Sequence, residues 1–149
     1  MLAERDRLKS FVLTGVPFRV ASIPLLSILA VMVLFGGCAT KDSLIPGTGG
    51  STFEIRGKNY NDIWKAAIKV VSSSLTITEI NKDTGVIKAE KGAGITTSGE
   101  LVGIFITPTI KDAKVYTIEV QSLKRSTLQI TGQDWTMTMI AGIKAELDQ

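Results

Sequence analysis

Two spacings of apolar residues organise the second two thirds of this chain. Tyr60, Ile63, Trp64, Ala67, Ile68 and Val71 recur at i, i+3, i+4, i+7, i+8 and i+11, one face of a helix. Asn59 or Asn61 can cap that helix, and Asp62 falls in the first turn, where the helix dipole favours negative charge. The helix is predicted to end near Ser74, where β-branched residues take over. Before it, Phe53-Glu54-Ile55-Arg56 alternates as a short strand ended by Gly57. After it, Leu75–Asn81 and Val86–Lys91 form a hairpin through Lys82-Asp83-Thr84-Gly85, whose last residue suits a left-handed turn position.

Residues 92–100 (GAGITTSGE) read as a loop, and Leu101–Thr107 as a continuous apolar strand closed by Pro108, which has no N–H for a ladder. In Val115–Leu123, Tyr116, Ile118 and Val120 share one face while Thr117, Glu119 and Gln121 share the other. Lys124-Arg125 turns the chain into a further strand, Ser126–Thr131, with Leu128 and Ile130 inward. A last helix follows Gly132, capped by Asp134, with Met139, Ile140, Ile143 and Leu147 as its apolar stripe. The order is β-α-β-β-β-β-β-α. Its short strand connections favour antiparallel pairing, so the expected fold is a two-layer α+β domain over residues 53–149, one antiparallel sheet with both helices on one face.

The first third is patterned differently. Arg5, Arg7, Lys9 and Arg19 outweigh Glu4 and Asp6 up to residue 19, residues 20–35 carry no charge, and Gly36, Gly37 and Cys38 follow. Positive, apolar, small and then cysteine is the layout of a secretory signal peptide, here residues 1–37. The apolar run of 16 residues falls short of the roughly 20 that a spanning helix needs, although an uncleaved signal anchor is the alternative. The long positive region also suits a Met1 assigned upstream of the true start. Residues 38–52, small, polar and rich in Gly, read as a flexible tether.

Leu34-Phe35-Gly36-Gly37-Cys38 resembles the lipobox of bacterial lipoproteins. The resemblance implies cleavage before Cys38, a diacylated thiol and an acylated new amino terminus. Ala39, in place of an aspartate, implies the outer membrane, with the domain on the periplasmic face. Phe35, where leucine is commonest, and the long positive region depart from the family pattern.

Composition then narrows the chemistry. Of 17 basic and 14 acidic residues, four and two lie in the signal, which leaves the mature part close to neutral. Its charges are mixed, with no basic stripe for nucleic acid. Cys38 is the only cysteine, so neither an internal disulfide nor a cysteine pair for metal is available. Without a single histidine, Ser-His-Asp and Cys-His arrangements and histidine zinc sites are excluded. No metal and no cofactor is expected.

Glu79 and Glu90, on the two hairpin strands, are the remaining carboxylate pair that could serve hydrolysis; alternating with Thr and Lys, they equally suit a solvated face. Loop 92–99 lacks the pattern of a phosphate cradle, but Thr96, Thr97 and Ser98 make it a candidate contact loop. Trp135 could anchor a partner or complete the core. Leu101–Thr107 is core if inside the sheet, and a template for strand addition if at its edge.

Tyr60–Ala67, Asp83–Ala89 and Thr131-Gly132-Gln133-Asp134-Trp135 resemble a group of small proteobacterial outer-membrane lipoproteins, and are similar to repeated domains of an accessory lipoprotein of the β-barrel assembly machine. That resemblance implies an envelope location and a non-catalytic domain that binds an envelope protein. The competing expectation is a small-ligand-binding or hydrolytic domain using Glu79, Glu90 and loop 92–99.

Overall fold

The computed structural model describes residues 38–110 and 114–149; the signal segment expected at 1–37 lies outside them. The helical stripe forms α1 (Tyr60–Ser72), which buries Ile63, Trp64, Ala66, Ala67 and Val71. Asn59 stands at its N-cap position, but its side-chain amide donates to Asp62 Oδ2 at 3.3 Å instead of capping the backbone. The second stripe forms α2 (Thr136–Leu147), burying Met139, Ile140, Ile143 and Leu147. Asp134 Oδ1 accepts the Thr136 N–H at 2.9 Å where α2 begins. Gly142 lets the helices meet closely, because a Cβ there would lie 2.7 Å from Val70 Cγ1.

Five strands follow the alternating pattern: β1 (Ser51–Arg56), β2 (Thr76–Asn81), β3 (Val86–Lys91), β4 (Glu100–Ile110) and β5 (Val115–Lys124). They form one antiparallel sheet in the order β1-β5-β4-β3-β2. Ile87, Ala89, Val102, Ile104, Ile106, Ile118 and Val120 join the stripes of both helices in a single core. The fold is therefore the two-layer α+β arrangement, with both helices on one face.

Three expectations are corrected or narrowed. The sixth strand, Ser126–Thr131, does not form; this stretch is irregular, and its isolated β-bridge, from Ser126 to Cys38, lies outside the five strands. The edge of β5 that a following strand would need is taken by β1, from Ser51 opposite Val120 to Arg56 opposite Val115. Pro108 does not end β4, which continues to Ile110 through a register shift between the two. Leu101–Thr107 is an inner strand, paired to β3 and β5, so it offers no edge for strand addition.

The fourth correction concerns residues 38–50, which lie against the sheet face opposite the helices instead of forming a free tether. Leu44, 1% exposed, packs with Leu101 and Phe105, and Ala39, Val86 and Leu123 flank them in a second, smaller core. Gly103 makes the room: a Cβ there would meet the Phe105 ring at 3.0 Å and Leu44 Cδ2 at 3.3 Å.

Candidate functional site

The strapped segment fixes where Cys38 sits. Ala39 N–H donates to Arg125 O at 2.8 Å, and Cys38 forms an isolated antiparallel bridge with Ser126. Cys38 itself stays exposed, at the end of the sheet where β4 starts and β5 finishes.

At that same end, loop 92–99 faces the 126–131 stretch across a cleft of about 550 Å³. The buried Glu100 carboxylate ties the two sides together, accepting hydrogen bonds from Thr97 Oγ1 at 2.8 Å and Gln129 Nε2 at 3.0 Å. Gln129 also donates to Thr97 Oγ1 at 2.6 Å and accepts the Ser98 N–H at 3.2 Å. Thr131 Oγ1 donates to Thr96 O. Of the three loop hydroxyl residues singled out from the sequence, Thr97 is thus spent internally, while Thr96 and Ser98 are exposed.

Trp135 is 8% exposed and belongs to the main core, so it is not a partner contact. The area its ring buries outweighs the indole N–H, which has no hydrogen-bond partner among the described residues. Glu79 and Glu90 do not converge: Glu79 lies 3.4 Å from Lys88 Nζ, and Glu90 pairs with Arg125. Each carboxylate has its own cation, an arrangement of partly exposed ion pairs and not of an acid and base across a cleft.

The opposite end of the sheet carries a larger cleft of about 900 Å³, lined by Tyr60, Lys82–Gly85, Ile106–Pro108 and Tyr116. Tyr60 stacks on Trp64, lies tilted to Tyr116, and donates its hydroxyl to Lys82 O. Burial, then the negative charge of Asp83, push its phenol above the ordinary range, so it remains a neutral donor. Among the described residues no group of three or more His, Cys, Asp or Glu could hold a metal ion, and no helix is long and apolar enough to cross a membrane.

Sequence reasoning missed Glu119. Although on the polar face of β5, it is buried: it accepts the N–H groups of Gly47 at 2.6 Å and Gly50 at 3.1 Å, and Gln121 Nε2 at 2.7 Å. Burial pushes its pKa up, but the hydrogen bonds from Gln121, Gly47, Gly50 and Gly49 together hold it below the ordinary value. Gln121 Nε2 also reaches Ile45 O at 2.6 Å, so two neighbouring polar residues clamp the turn at 45–50. The signal that could have found this was Leu44-Ile45, a large apolar pair within an otherwise small and polar stretch.

No family model matches the chain, and no curated protein matches it. Among solved structures it is similar to the adenylate sensor from AMP-activated protein kinase in complex with 5-aminoimidazole-4-carboxamide 1-β-D-ribofuranotide. The identity is 13% and the TM-score 0.42, over 65% of this chain and 94% of that one. A likeness at that level carries no argument for this chain.

Proposed function

We propose that the chain is a lipoprotein, held on the periplasmic face of the outer membrane by lipid on Cys38. Its domain is non-catalytic and binds another protein of the cell envelope, in envelope assembly or maintenance. The observation that carries this reading is the exposure of Cys38 at the point where an apolar run gives way to packed chain. An acyl group on an exposed, terminally placed thiol disturbs nothing in the fold. Two acylation sites on one residue also supply the second lipid signal that stable anchoring needs. The ion pairing of Glu79 and Glu90 and the internal engagement of Thr97 favour a binding module over a hydrolase.

Crosslinking pull-down from native membranes tests the reading, with the wild-type lipoprotein and Cys38→Ser compared. Wild type is expected in the outer-membrane fraction, crosslinked to an envelope protein, and Cys38→Ser is expected to lose membrane retention while staying folded. Equal partition of the two forms would contradict the anchor, and an anchored wild type without any protein crosslink would contradict the binding role.

A further inference from the structure

The polarity of the 126–131 stretch is inverted. Here the polar residue, Gln129, points in to the buried Glu100, and the apolar ones point out, with Leu128 86% and Ile130 93% exposed. Ile95, across the cleft in loop 92–99, is fully exposed as well. Three large aliphatic side chains at one end of a small domain form a cluster of the kind that marks a contact surface.

We propose that this end is a membrane-contacting face, with Ile95, Leu128 and Ile130 seated in the interfacial region of the bilayer that holds Cys38; the inference rests on the lipid-anchored reading above. Cys38 bridges Ser126, which lines the same cleft as Ile95, Leu128 and Ile130, so the anchor and the apolar cluster lie at one end of the domain. The packing of Ala39 and Leu44 removes the slack that would let the domain stand away from the lipid. An acylated Cys38 therefore brings this end to the bilayer surface before any partner is engaged. Lys124, whose ammonium reaches Ile130 O at 3.3 Å, adds a cation beside the cluster that suits anionic headgroups.

The test uses the processed lipoprotein in vesicles of phosphatidylethanolamine and phosphatidylglycerol, with and without nitroxide-bearing lipid. Acylation consumes the sole native thiol, so Leu128→Cys and, separately, Ile130→Cys each provide one position for an environment-sensitive fluorophore. Asp83→Cys, in the turn at the other end of the sheet, is the reference. The run of β4 from Glu100 to Pro108, which lines the far cleft together with Asp83, spans about 27 Å. At 128 and 130 the emission is expected to shift to the blue and to be quenched by nitroxide lipid, while the label at 83 does neither. Labels at 128 and 130 that behave like the one at 83, on protein whose intact mass shows an acylated Cys38, overturn the proposal. So does quenching at 128 that is lost in native membranes because a protein covers the cluster. An unmodified Cys38 in the same mass measurement removes the anchored reading and this inference with it, so the two failures are told apart.

Discussion

The Glu119 carboxylate accepts the Gly47 N–H at 2.6 Å, joining residues 72 positions apart and closing the 38–50 segment onto the sheet. Hydrogen bonds to an ionised acceptor are each worth about 1.5–3 kcal/mol. Among the described residues no cation partners this carboxylate; backbone and amide N–H groups hold it.

The first expectation follows from that bond. The folded pKa of Glu119 lies below the ordinary value of 4.5, so its contribution is present in full above that value and is lost as pH falls through the folded value. Glu119→Gln is expected to cost about 2 kcal/mol at neutral pH, and the gap from wild type should narrow in acid. Urea denaturation across that pH range reads it. A gap independent of pH would mean that the charge of Glu119 does not hold the strap.

A second expectation concerns Leu44. Its burial over Leu101 and Phe105 makes Leu44→Ala a large-to-small change in a small core, worth about 2–4 kcal/mol. Gly103→Ala should destabilise by overpacking, and less so in the Leu44→Ala background, because one of its two close neighbours is then gone. A double-mutant cycle measures the coupling; strict additivity would show that the strap is not seated on Gly103.

How far the fold was legible depends on where each pattern's partner lies. The stripe from Tyr60 to Val71 and the alternation of Tyr116, Ile118 and Val120 were legible because each apolar face is matched by another within the sheet and helices. The burial of Glu119 and Gln121 was not legible, because polar side chains carry no sign that backbone donors of a distant segment will cover them. Ser126–Thr131 looked like a strand with Leu128 and Ile130 inward, and both points failed for one reason. Periodicity gives the repeat of side chains but not which side is buried, and β1 had already taken the edge. At the site, the proposal for Cys38 comes from its flanking run alone. Glu100 and Gln129, which shape the cleft beside it, were not, since their contact joins positions 29 apart without a motif.

The turn between β2 and β3 gives a third expectation. Gly85 has φ +71°, and a Cβ there would lie 2.1 Å from Ile106 O, while its own carbonyl accepts the Ile106 N–H at 2.8 Å. Gly85→Ala combines left-handed strain with a backbone clash and should cost more than about 2 kcal/mol. Gly92→Ala, with nothing within 4 Å of the added atom, should stay within about 0.5 kcal/mol of wild type. Thermal melts of both variants check the contrast, and equal effects would contradict it.

Gln129→Ala is the fourth. It removes the donor to Thr97 and Glu100 and the acceptor of the Ser98 N–H. A loss of about 1–2 kcal/mol is expected, with faster hydrogen exchange at Ser98 and unchanged protection in α1. Unchanged exchange at Ser98 would show that loop 92–99 is held by something other than Gln129.

The anchor itself is tested most directly by the intact mass of the protein extracted from its native membrane. The expected species begins at Cys38 and carries a diacylglyceryl group on the thiol and an acyl chain on the new amino terminus. A chain that retains residues 1–37, or one that starts at Cys38 with a free thiol, would contradict the lipid anchor.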